Sequence, residues 1–298
     1  MIGAESGGYV EVVESSPNSD VAKASFDTYN GRDWAGYQAL QHPNVQWYEV
    51  EGRFFRGVDG VTEEVDNWRD AYPDASADVT NLFDCGHDRV IIEWTLHGER
   101  RGLATGPQGQ EIPENIRVYS ADLMQLKDGH VYAGRTYYGL KSAQTVHAVQ
   151  GGRQPSPVAL PDAPQYEARI DETPNALVAR ASFDRYNARD WDGYRALQHP
   201  AVEAHEVEGR VFAGGDGVIA EIDGFRAAYP DADAEISSLI DGGHDRVIIE
   251  WTLTGGPGNL YACDLMQLRE GKVFRVRTYY GLVSALAVIG VQGLDQGG

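Results

Sequence analysis

The chain has 298 residues, 42% of them hydrophobic, with 45 acidic and 25 basic side chains and a formal charge of −20. That length fits two domains of ordinary size, each able to bury a core. The charge repels phosphate backbones and anionic headgroups, so nucleic acid and membrane surfaces are not expected as partners.

After a short polar stretch, residues 20–30 place Val21, Ala24, Ser25 and Tyr29 at helical spacing, with Ser19 or Asp20 as the predicted N-cap. Asp33 caps a second, short helix over residues 34–40. Residues 45–50 read as a strand, Glu51-Gly52 as a turn, and residues 61–72 as a helix stopped by Pro73. Strands follow at residues 77–83 and 89–97. Two more, at 122–126 and 131–138, flank Asp128-Gly129, a tight hairpin turn.

The whole order then repeats. ASFDTYNGRDWAGYQALQHP at 24–43 returns as ASFDRYNARDWDGYRALQHP at 181–200. ADLMQLKDGHVYAGRTYYGL at 121–140 returns as ACDLMQLREGKVFRVRTYYGL at 262–282. The second copy is shorter, having lost most of the segment at 97–117. A period this long is a tandem of globular domains and not a solenoid. The expected division is a first domain at 18–147, a Pro/Gly-rich linker at 148–173 and a second domain at 174–298. Helices gathered on one face of a curved antiparallel sheet make each domain α+β, with a conical cavity between the layers.

Cys85 and Cys263 sit at non-equivalent positions, so neither a disulfide framework nor a CxxC metal site is expected. The chain opens with no basic-then-apolar leader and has no run long enough to span a bilayer, which points to a cytoplasmic protein.

Strand alternation decides which side chains see the cavity. With the Trp94 face inward, Glu93 and Glu250 fall on the outer face, in cross-strand or interface ion pairs. Val45, Trp47 and Glu49 alternate together, as do Val202, Ala204 and Glu206. If that face is inward, Glu49 and Glu206 point to the cavity mouth; the competing reading pairs Glu49 with Arg53 at a sheet edge. Asp122 and Asp264 lie inside apolar strands, where a bare charge is too costly, so they are paired, exposed or cavity-lining. The candidate catalytic pairs are therefore Asp122 with Glu49 and Asp264 with Glu206. Two carboxyls in unequal environments divide acid from base.

Tyr29, Trp47, Trp68, Trp94 and Tyr138 are expected to line the first cavity, with His97 reaching its mouth beside the long loop. Tyr186, His205, Phe225, Trp251 and Tyr280 are expected in the second. Since Ala204 replaces Trp47, the second copy is expected either to hold a wider cavity or to serve mainly as a docking partner for the first. His205-Glu206 opens like HExxH, but Gly209 stands where the second histidine belongs; no metal and no cofactor is expected.

Two short helices, a strand and a third helix are followed by "YPDA…DRVIIEWTLxG…DGxV…RTYY". This pattern resembles the SnoaL-like branch of the nuclear-transport-factor-2-like superfamily, which contains polyketide cyclases and ketosteroid isomerase relatives. The resemblance implies two cystatin-like α+β barrels paired inside the chain as a pseudo-dimer, with a homodimer as a further option. It places Gly139 and Gly281 where SnoaL-type cyclases carry a base aspartate. Asp122 and Asp264 fall where ketosteroid isomerases carry the aspartate that donates to an enolate oxygen. The isomerase base falls at Trp47 and Ala204, and the isomerase tyrosine at Ser25 and Ser182. The expected function is cofactor-independent acid/base cyclisation, isomerisation or hydration of an apolar, polyketide-like or cyclic small molecule in secondary metabolism. The alternatives are a non-catalytic binder of a hydrophobic small molecule and a polyether-type epoxide-opening cyclase or epoxide hydrolase.

Overall fold

Local chemistry sets the first helix earlier than its apolar spacing suggests. In a computed structural model describing residues 12–100, 105, 111–150, 167–256 and 258–292, α1 (Pro17–Gly31) starts behind Ser16. The Ser16 hydroxyl accepts from the Ser19 N–H, and the Ser19 hydroxyl reaches back to the Ser16 N–H. Pro17 occupies the first turn, where its missing N–H costs nothing. Ser16, and not Ser19 or Asp20, is therefore the cap. Asp33 does cap α2 (Trp34–Ala39), accepting from the Gly36 N–H at 2.9 Å.

The first copy continues through β1 (Gln41–Glu49), β2 (Phe54–Arg56), α3 (Gly57–Ala71), β3 (Ser76–Gly86), β4 (Arg89–Glu99), β5 (Asn115–Lys127), β6 (His130–Tyr138) and α4 (Leu140–Gln150). The second repeats it as α5 (Pro174–Asn187), α6 (Trp191–Ala196), β7 (Gln198–Glu206), β8 (Val211–Ala213), α7 (Gly214–Ala228), β9 (Asp233–Gly243), β10 (Arg246–Thr254), β11 (Leu260–Arg269), β12 (Lys272–Tyr280) and α8 (Leu282–Gln292). The α+β reading holds, with two differences. β1 and β7 run parallel to β6 and β12, so the sheets are not wholly antiparallel. A fourth helix, α4 or α8, also closes each copy, burying Leu140, Ala143 and Val146 or Leu282, Ala285 and Val288. Helix α4 runs past the expected boundary at 147, and residues 151–166 of the expected linker lie outside the described residues.

The hairpin turns are as expected. Asp128 and Gly129 have φ of 51° and 75°, and Glu270 and Gly271 have φ of 53° and 70°. Two left-handed residues in succession match the twist of antiparallel strands. In each copy the strands β3–β6 or β9–β12 curve around the first three helices, and the hollow lies between the layers.

The copies pair through the other face of their sheets. β6 and β12 meet at Tyr138 and Tyr280, giving one 12-stranded sheet whose main path of eight strands runs β3-β4-β5-β6-β12-β11-β10-β9, with β1–β2 branching from β6 and β7–β8 from β12. Ile91, Leu123 and Tyr137 share a core with Ile240, Ile248, Leu265 and Tyr279. The polar contacts are reciprocal. Glu93 accepts from Arg277 and from the Tyr279 hydroxyl at 2.8 Å. Glu250 accepts from Arg135 and from the Tyr137 hydroxyl, each at 2.9 Å. Glu51 and Glu208 each accept at 2.7 Å from an N–H in the first turn of the other copy's last helix, Ser284 and Ser142. This is the self-complementary geometry of a two-fold dimer, built within one chain. No described helix is long and apolar enough to cross a membrane.

Candidate functional site

The first cavity has a volume of about 100 Å³ and is bounded by α1, α3 and the concave face of the sheet. All five aromatic residues expected there line it: Tyr29, Trp47, Trp68, Trp94 and Tyr138. Both expected carboxyls, Glu49 and Asp122, face it as well. Asp122 sits opposite Thr136 in the β5–β6 ladder, and the Thr136 hydroxyl donates to its Oδ1 at 2.7 Å. The Trp47 indole N–H in turn donates to Thr136 Oγ1 at 2.9 Å. Burial pushes the Asp122 pKa up to about 8, assisted by the charges of Glu64 and Glu49. Thr136 and the Trp94 indole pull it back only in part. The Trp94 N–H is near enough to act on the carboxyl yet has no hydrogen bond of normal geometry.

The two readings of Glu49 prove compatible. Its Oε2 accepts from Arg53 Nε at 3.1 Å, while its Oε1 accepts from the Tyr138 hydroxyl at 3.0 Å inside the cavity wall. A third carboxyl, Glu64 on α3, joins them. It accepts from Trp68 Nε1 at 2.9 Å and stands 4.0 Å from Arg53 Nη2. Burial, then the neighbouring Glu49, pushes its pKa up to about 7 against the pull of Arg53.

The second cavity is wider, about 140 Å³, one of the two outcomes expected from Ala204 in place of Trp47. Tyr186, His205, Phe225, Trp251 and Tyr280 line it with Glu206 and Asp264. The Thr278 hydroxyl donates to Asp264 at 2.7 Å, and burial pushes that carboxyl up to about 6. Glu206 accepts from the Tyr280 hydroxyl at 3.3 Å and is also raised by burial. Glu221, the counterpart of Glu64, is pushed up to about 8 by burial and by the charges of Glu206 and Asp264.

The SnoaL-like domain matches residues 22–133 and again 179–276. The chain belongs to the SnoaL-like domain family. Among solved structures, a proposed ketosteroid isomerase from Kribbella flavida is 24% identical, covering 36% of this chain and 77% of its own, with a TM-score of 0.32. A proposed SnoaL-like polyketide cyclase from Jannaschia sp. is 18% identical, covering 48% of this chain and 97% of its own, at 0.37. An LEH-like epoxide hydrolase of M. tuberculosis is 10% identical over 42% and 85%, at 0.35. Likenesses at this level say nothing about chemistry. No curated protein matches the sequence.

Gly139 and Gly281 lie where the two copies meet. A Cβ on Gly139 would stand 2.6 Å from Glu208 Oε2 of the other copy, and Gly281 meets Glu51 in the same way. The pseudo-dimer has taken that space.

One expected site residue is misplaced. His97 does not line the cavity; it is about half exposed, and its Nδ1 lies 3.5 Å from Asp78 Oδ2 at the surface. Trp94 and Leu96 line the cavity, so alternation along β4 turns His97 to the opposite face. Much of the long loop beside it lies outside the described residues, at 101–104 and 106–110. The sequence reading also missed Glu64, Glu221, Tyr37 and Tyr194, all cavity-lining. The signal for Glu64 was present: with Val61, Val65 and Trp68 it occupies one helical face, an acid within an apolar stripe. Among the described residues no group of three His, Cys, Asp or Glu is placed to hold a metal ion.

Proposed function

We propose that the first cavity is the active site of a cofactor-independent acid/base enzyme of secondary metabolism. Its substrate is an apolar, polyketide-like or cyclic molecule that is cyclised, isomerised or hydrated. The observation that carries this reading is the set of three carboxyls on one apolar cavity in unequal settings. Asp122 is raised to about 8, Glu64 to about 7, and Glu49 is bonded to Arg53.

At neutral pH Asp122 holds its proton and can donate it to a substrate carbonyl or epoxide oxygen. Thr136 fixes one carboxyl oxygen, leaving the other for the substrate. Glu64 titrates near neutrality, the best range for a group that must both take and return a proton. It removes the proton next to the carbonyl, or activates water in a hydration, while Asp122 neutralises the oxygen. Glu49 contributes a negative field and anchors Tyr138, whose hydroxyl donates to it. The same geometry serves acid-assisted opening of an epoxide, with Asp122 protonating the ring oxygen.

A second reading, a non-catalytic binder of a hydrophobic molecule, draws on Gly139 and Gly281, where the cyclase base is absent. The experiment separating the two is turnover of a panel of cyclic ketones and epoxides by the wild type, D122N and E64Q. We expect D122N and E64Q each to lose at least about a hundredfold in kcat while still folding, as shown by an intact circular-dichroism spectrum. Binding without turnover in the wild type, or turnover indifferent to both substitutions, would favour the binder.

A further inference from the structure

In the first cavity, protein donors serve the acceptors of the wall. Trp68 donates to Glu64, Trp47 to Thr136 and Arg53 to Glu49. In the second cavity every acceptor is kept, as Glu221, Thr278 and Glu206, while the donors are removed or redirected. Phe225 replaces Trp68 and has no N–H. Ala204 replaces Trp47. Arg210 keeps its backbone N–H on Glu206 at 3.3 Å but sends its guanidinium to the Gln292 carbonyl oxygen. Glu206 is served instead by Tyr280 and the Gln292 side chain.

Among the described residues nothing donates to Glu221. Its half-buried side chain lines the hollow, and burial, then the charges of Glu206 and Asp264, pushes its pKa up. A carboxyl left unserved inside a protein is costly, so losing the donors alone is not a neutral drift. It leaves acceptors arranged for a ligand that brings its own donors.

We propose that the second cavity binds an apolar amine, its ammonium received by Glu221 and Asp264 and its apolar body held among Phe225, Trp251 and Met266. Charge selects the class. The lining carries three carboxyls, Glu206, Glu221 and Asp264, and no Lys or Arg among the described residues. An ammonium supplies up to three N–H donors, enough for both carboxyls and for Thr278 Oγ1. Phe225 and Trp251 line the same hollow, and aromatic rings beside an ammonium favour the cation further. The first cavity, with Arg53 bonded to one of its carboxyls and indole donors on its other acceptors, does not suit such a ligand. The proposal stands independently of any chemistry in the first cavity.

The test is titration calorimetry of the full chain with three matched probes: naphthylmethylamine, naphthylmethanol and methylnaphthalene. The amine is expected to bind at one equivalent, about tenfold or more tighter than either neutral probe. E221Q should remove that preference, and E64Q in the first cavity should leave it intact. F225W, which returns an internal donor beside Glu221, should weaken amine binding as well. It decides the matter if melting shows that E221Q does not fold. Equal affinity for all three probes, no binding at all, or a preference lost in E64Q and kept in both E221Q and F225W would overturn the proposal.

Discussion

Asp122 carries a proton that the unfolded chain would release. Its ordinary carboxyl pKa is 3.8 and its folded value about 8; for Glu64 the corresponding values are 4.5 and about 7. A raised folded pKa means that the unfolded state binds fewer protons between the two values, so stability falls as pH rises through that window. A tenfold difference in proton affinity between the folded and unfolded chain is worth about 1.4 kcal/mol, so the loss between about pH 4 and pH 8 amounts to several kcal/mol for Asp122 alone. We predict that wild-type Tm falls between about pH 5 and pH 9, and that D122N flattens the fall by on the order of 5 °C or more. A melting series by circular dichroism checks it; parallel curves would mean Asp122 is ionised throughout. Asp122 could be found in the sequence because strand alternation places an acid among apolar neighbours, where every alternative is costly. Glu64 was harder to find, since an acid on a helix is usually solvated and only the tertiary fold shows which face the hollow takes. His97 fails on alternation itself: Trp94 and Leu96 face the hollow, so the residue after Leu96 points away from it.

At the level of elements, β1 and β6 show how a register stores information about shape. Trp47 lies opposite Gly134, and a Cβ on that glycine would fall within the indole ring. In the second copy the same ladder position pairs Ala204 with Val276. Large-with-none has become small-with-medium, an exchange that keeps the strands at their spacing while reshaping the cavity. G134V alone should therefore overpack the wall and cost about 1–3 kcal/mol or more. W47A alone should cost about 3–5 kcal/mol, partly through the lost donor to Thr136. The double variant W47A/G134V should recover more than about 1 kcal/mol of their sum in urea unfolding. Strict additivity would show that the two positions do not share space. Most elements were readable because caps, turn pairs and strand alternation act over a few residues. Helix α4 was not, because what makes it a helix is distant. Its first turn receives the Glu208 carboxylate from the other copy, and its apolar side is buried against α8 and β5.

Across the whole molecule, the pairing of the copies makes each half depend on the other. Glu250 is fully buried, and Arg135 and Tyr137 donate to it from the first copy. Replacing it by Ala would leave the Arg135 guanidinium buried without that counter-charge, which should cost about 3–5 kcal/mol in chemical denaturation. Replacing both residues by Met should recover most of the loss, since a well-packed apolar pair often equals a buried ion pair. The duplication adds a sharper consequence. The first copy carries both halves of the contact, Glu93 and Arg135, and the second carries both again as Glu250 and Arg277. Each copy also carries the turn carboxylate and the helix start that receives one, Glu51 with Ser142 and Glu208 with Ser284. A two-fold pair of first copies could therefore satisfy every one of these contacts without the second. We predict that residues 12–150 expressed alone form a homodimer by light scattering, and that R135E, which sets acid against acid, leaves monomers. A half that stays monomeric and folded without the substitution would show that the tether, and not the complementary face, holds the two copies together.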